Sequence, residues 1–97
     1  MKGFSKLNKA FESRVRLGVM SLLMVNEWVS YSEMKELLDL TDGNLASHIS
    51  ALDKLGYVEI DKKFVGKKPL TSYQATKLGK VEFKQHIDSL EKLLRGQ

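Results

Sequence analysis

The chain contains no cysteine. That excludes a disulfide framework, a thiolate zinc site, an iron–sulfur cluster and a cysteine nucleophile, and it fits a reducing compartment. Proline occurs once, at Pro69, and the seven glycines are scattered instead of clustered into a phosphate-cradling loop. No repeat, low-complexity tract or Pro/Gly/Ser-rich linker divides the 97 residues, which points to a single domain over 1–97 with one small core. Long apolar runs are missing too. The longest, Val15 to Val25, is interrupted by Arg16, Gly18 and Ser21 and reaches only about half the length needed to cross a bilayer. The opening "MKGFSKLNKAFESR" alternates charged and apolar residues, so no secretory leader is expected, no membrane partner either, and a cytoplasmic location is the default. His48 and His86 have no partner at metal-ligand spacing, and no Ser–His–Asp set or paired carboxylates occur. No metal, no cofactor and no enzymatic activity are therefore expected. Nothing in the sequence marks a site for a small-molecule effector.

What is present is positive charge, distributed in segments. The net charge is +4. Residues 1–27 contribute +3 and residues 57–77 another +3, whereas 28–56 sum to −3 and the remainder to +1. Segmented charge suits a polyanion touched at particular places, although a basic surface alone is also common.

Apolar spacing sets out the elements. Phe4, Leu7, Phe11 and Val15 recur at helical intervals and predict a short leading helix over about 4–11. Ser13 can cap a second helix running to about Asn26, apolar nearly all round and central to the core. "WVSY" reads as a short edge strand, and Ser32 can cap a helix through Leu40 that buries Met34, Leu37 and Leu38. Thr41 can cap the next helix, whose buried stripe is Leu45, Ile49, Leu52 and Leu55 and which ends at Gly56. In "YVEIDKKF", Val58, Ile60 and Phe64 alternate onto one face. "VGKKP" is then a turn, and "LTSYQAT" returns with Tyr73 and Ala75 inward. Thr76 can cap a final helix over about 77–94, with Phe83, Ile87, Leu90 and Leu94 along one side. The expected class is mainly α with a small β-hairpin (α+β). A two-helix unit followed by a hairpin is the topology of a winged helix-turn-helix, here with a core of about 12–76 and additional N- and C-terminal helices.

The stretches "TDGNLASHISALDKLGYV" and "FVGKKPLTSY", in that order and separation, resemble the small winged helix-turn-helix regulators related to the MarR and ArsR families. The resemblance spans roughly residues 12–94. It implies a homodimer on double-stranded DNA, with the helix from about Asp42 to Leu55 in the major groove and the hairpin wing along the backbone or minor groove. By position, Asn44, Ser47 and His48 fall where base-reading residues lie, and Lys67 and Lys68 fall at the wing tip. Lysine at the tip lacks the fork of the arginine frequent there, which favours phosphate attraction over minor-groove readout.

The residues can be weighed without the resemblance. Asn44 can pair with adenine in two bonds, and Ser47 and His48 can donate or accept, although any solvated helix face would be polar. Ser50, Lys54, Lys63, Lys67 and Lys68 are candidate backbone contacts, set against a reading in which wing lysines merely protect an edge strand. Asp42 is expected to support its helix N-terminus, and at least one of Arg14 and Arg16 to be structural, paired with an acid across the domain. Apolar residues of the terminal helices, Phe4, Leu7, Phe11, Phe83, Ile87, Leu90 and Leu94, are the expected dimer interface. The expected function is a sequence-specific double-stranded DNA-binding transcriptional regulator, a homodimeric repressor on a pseudo-palindromic site. The competing class is a winged-helix protein-interaction adaptor, which the −3 of residues 28–56 favours.

Overall fold

The computed structural model describes residues 3–96. Four α-helices, α1 (Arg14–Val25), α2 (Tyr31–Leu38), α3 (Asp42–Lys54) and α4 (Lys77–Leu94), accompany three strands, β1 (Val29–Ser30), β2 (Val58–Val65) and β3 (Lys68–Ala75). The sheet is antiparallel in the order β1-β3-β2. This is the winged helix-turn-helix architecture, with α2 and α3 as the two-helix unit and the β2–β3 hairpin as the wing.

Each helix starts where a side chain can take an otherwise unpaired backbone N–H. Ser13 accepts from Arg16, Thr41 from Asn44 and Thr76 from Gly79, as the sequence led one to expect. For α2 the cap is Ser30 and not Ser32. Ser30 wins because Glu33 stands three residues on and returns a bond to the Ser30 N–H, completing a capping box. The strand in "WVSY" is correspondingly cut to Val29–Ser30. Met34 is enclosed and Leu38, one turn on, is half-buried against Gly18 of α1, which leaves Leu37, expected inside, exposed.

The leading segment is not an α-helix. It forms two 3-10 turns, Phe4–Lys6 and Lys9–Phe11, separated by Leu7 and Asn8 in extended conformation. Asn8 makes its bonds elsewhere: its N–H donates to His86 Nδ1 (2.9 Å) and its Nδ2 to the Tyr57 hydroxyl (2.9 Å), while its Oδ1 accepts from Ala10. These long-range bonds outweigh local helix formation and lay the segment across α4.

The core is centred on α1, as anticipated, with Val19, Met20 and Leu23 enclosed against Met34, Leu45 and Leu52. Phe11 and Phe83, both expected at a dimer interface, belong to this core. Phe11 stacks on Tyr57 at 5.4 Å and meets Phe83 edge-on at 5.0 Å. On α4 the buried stripe is Gly79, Phe83, His86 and Ser89, rotated from the expected Phe83, Ile87, Leu90 and Leu94. The rotation follows from the Asn8 bond, which gives His86 a partner inside. Phe4, Ile87, Leu90 and Leu94 are left exposed and Leu7 half-buried.

Candidate nucleic-acid interface

The polar face of α3 is held in place at both ends. At its N-terminus the Tyr31 hydroxyl donates to the Asp42 carbonyl (2.8 Å) and Lys35 Nζ pairs with Asp42 Oδ1 (2.9 Å), so α2 grips the first turn of α3. The Asp42 bond and charge hold the Lys35 ammonium above its ordinary pKa. Asp42 thus lies at the helix N-terminus, where its charge is favourable, and is engaged by a cation of the same protein. At the other end the chain leaves the helix through Gly56 at φ +79°, with the Tyr57 N–H donating to Leu52 (3.0 Å). Leu55, expected to continue the buried stripe, is the capping residue here and is exposed. Thr76 then ties this exit to α4: its hydroxyl donates to the Gly56 carbonyl (2.6 Å) and accepts from the Gly79 N–H (2.9 Å). Gly79 itself lies so close to the Tyr57 carbonyl that a methyl group there would collide with backbone.

Leu45, Ile49 and Leu52 anchor α3 inward, which turns Gly43, Ala46, Ser47, Ser50 and Lys54 to solvent with Asn44 at one border. Asn44, Ser47 and Ser50 are exposed together, whereas His48 is half-buried and points toward α1. There the Arg16 guanidinium bonds His48 Nδ1 (2.8 Å) while its Nε donates to the Ala10 carbonyl (2.6 Å). Arginine can only donate, so Nδ1 must accept and the ring proton sits on Nε2. Arg16 is therefore the structural arginine, but its partners are a carbonyl and an imidazole, not an acid. Arg14 is exposed. Sequence reasoning missed the Arg16 support of His48, because the i and i+32 positions share no local pattern. It also passed over Gly43 and Ala46, whose small size leaves the exposed face flat.

The wing begins beside α3 and extends away from the body. β2 and β3 pair without interruption from Val58↔Ala75 to Val65↔Lys68, so the turn is only Gly66 and Lys67, tighter than "VGKKP" implied. Val58, Tyr73 and Ala75 at the base are buried. Beyond Asp61, every residue of the outgoing strand is exposed, and Phe64, expected inward, is 73% exposed. The reason is reach: eight residues of strand span roughly 26 Å, more than the small core can cover. Lys62, Lys63, Lys67 and Lys68 are exposed, Lys63 lies 3.8 Å from Asp61, and no other wing lysine has an acidic partner among the described residues.

A fixed helix whose exposed face is mostly small side chains, beside a projecting cationic ribbon, is an arrangement able to approach base edges and phosphates at once. Comparison with known proteins decides the family. Residues 15–94 match the family model described as a winged helix DNA-binding domain. The chain belongs to that family. An uncharacterised protein of Methanocaldococcus jannaschii is 36% identical over 88 residues, covering 91% of this chain and 96% of the relative. A transcriptional regulator homologue from Pyrococcus horikoshii superposes with a TM-score of 0.79 at 32% identity, over 96% of this chain and 97% of its own. A putative transcriptional regulator of Salmonella typhimurium shares the fold, with a TM-score of 0.71 at 22% identity over 89% of this chain and 77% of that one. The family and the Pyrococcus horikoshii homologue support a DNA-binding regulator, and an ArsR family regulator shares the fold. Among the described residues, no helix is long and apolar enough to cross a membrane and no acidic or histidine cluster could hold a metal ion.

Proposed function

We propose that the protein is a homodimeric, sequence-specific repressor on double-stranded DNA. Two α3 helices enter successive major grooves about 34 Å apart on a pseudo-palindromic site. The observation that carries this reading is the division of labour between a neutral, rigidly mounted α3 face and a free cationic wing. Asn44 and Ser47 read bases, and His48, with its proton on Nε2, offers a donor to acceptors such as guanine N7 or O6. Ser50, Lys54, Lys63, Lys67 and Lys68 contact phosphates. The dimer forms through the apolar residues that the protomer leaves exposed, Phe4, Ile87, Leu90 and Leu94, with Leu7 at their border. Phe11 and Phe83 lie in the protomer core, and this reading leaves them out of the contact.

Selection of bound sites from a random duplex pool, combined with light scattering, tests the reading. The expected result is a two-fold symmetric motif bound by a dimer. If some 6–10 phosphates are engaged, affinity falls about 10³–10⁵-fold between 50 and 200 mM salt. The exposed α4 face also fits the adaptor alternative, and a monomer that enriches no motif would overturn the repressor reading in its favour.

A further inference from the structure

The end of the wing holds apolar side chains where there is no core to receive them. Phe64 is 73% exposed and Val65 61%. Between Lys62 and Leu70 the chain carries four lysines and no acid. A solubilising edge needs the lysines but gains nothing from an aromatic ring held in water.

The register sets where that ring stands. Val65 and Lys68 flank a two-residue turn and so form a hydrogen-bonded pair, which makes Phe64↔Pro69 the next, non-hydrogen-bonded pair. Such pairs bring their side chains closest, and Pro69 loses no ladder bond there because its nitrogen faces outward. Phe64 therefore stands beside a proline on one face of the tip, with Lys62 behind it on the same face.

We propose that Phe64 is an apolar wedge that the wing inserts between base pairs from the minor groove, unwinding and bending the duplex. The proposal rests on the DNA-binding reading above and adds how the wing uses it. The charge around the ring selects the occupant, since four cations within nine residues match the two phosphate walls of a groove. The minor groove is about 6 Å wide, too narrow for a ribbon whose strands alone lie about 4.8 Å apart, but open to a single ring carried at its end. The wing leaves α3 through a clamped joint at Gly56 and Thr76, so a helix seated in the major groove directs the tip at the adjacent backbone.

The test uses the full chain, a closed circular plasmid and a random-sequence 30-bp duplex. The plasmid is relaxed with a type I topoisomerase in the presence of protein, and its topoisomers are resolved after deproteinisation. Wild type is expected to shift the distribution by unwinding. Phe64→Ala should abolish the shift while still retarding the duplex, with roughly tenfold weaker binding, the scale of one base–aromatic stack. Phe64→Leu, which keeps an apolar wedge, should retain part of the shift. A bound wild type that leaves the topoisomers unchanged, or a Phe64→Ala shift equal to wild type, overturns the wedge while leaving DNA binding intact. Failure of wild type to retard any duplex removes the underlying reading as well. Phe64-dependent co-sedimentation with phosphatidylserine vesicles, without plasmid unwinding, would assign the tip to an anionic membrane and overturn the proposal.

Discussion

Helix α3 and the wing follow each other directly in the chain, yet they are built on opposite principles. α3 carries a single lysine on its exposed face and is bonded at its N-terminus by Tyr31 and Lys35, at its middle by Arg16, and at its exit through Thr76. The distal wing carries four lysines and is exposed at every residue from Lys62 to Pro69. Rigid mounting suits discrimination, because a misplaced donor loses a base contact. Charge on a free ribbon suits affinity, because Coulomb attraction tolerates small displacements. The difference also shows that alternation along a strand predicts burial only as far as the core extends: Val58 and Phe64 share a face of β2, and one is buried while the other is in solvent.

The largest expected effect comes from breaking the joint between the two regions. Gly79→Ala would push a methyl into the Tyr57 carbonyl, where backbone and not a flexible side chain must yield. It should lower stability by about 3 kcal/mol, the upper end of overpacking costs, although alanine is ordinarily the better helix former. A urea titration reads the sign directly, and unchanged or raised stability would show the joint to be loose. Next, Lys67→Ala with Lys68→Ala should weaken binding to all duplexes alike and reduce the slope of log affinity against log salt by about 2. A loss confined to one sequence would mean that the wing also discriminates.

Asn44→Ala should do the converse. It should lower discrimination at one base position by about 1–3 kcal/mol with little change on random duplex, as measured by competition with single-base operator variants. The smallest effect concerns His86, which joins α4 to the leading segment. Its burial lowers the folded pKa below the ordinary 6.5, partly opposed by Glu12. The unfolded chain therefore binds the proton more readily, so this contribution to stability is complete above about pH 6.5 and is lost as pH falls through the folded value. Protonation at Nδ1 also removes the acceptor for the Asn8 N–H. The urea midpoint should drop between pH 7 and 5.5, and His86→Gln, which does not titrate, should flatten that drop.

Much of the architecture was legible because it follows local rules. Caps at Ser13, Thr41 and Thr76, the stripe Leu45, Ile49 and Leu52, and the stop at Gly56 are each set by residues within a turn of one another. The polar composition of the α3 face was legible for the same reason. The misreadings share a cause. Asn8, Arg16 and His86 form bonds across 78, 32 and 6 positions that no periodicity encodes, and those bonds turned a predicted leading helix into two 3-10 turns and rotated α4. The competition between Ser30 and Ser32 was decided by Glu33, which stands three residues after Ser30 and accepts from its N–H.

By itself, then, the sequence determined the order of helices, the hairpin, the neutral face of α3 and the cationic wing, since capping, period and charge are properties of neighbouring residues. Only the tertiary structure decided which apolar residues were core and which were surface. Phe11 and Phe83 went inside while Phe64 and Leu94 stayed out, because burial depends on where a second layer lies. It likewise decided that His48 is bonded to Arg16 through Nδ1, since a side chain's available donor depends on what already occupies its other nitrogen.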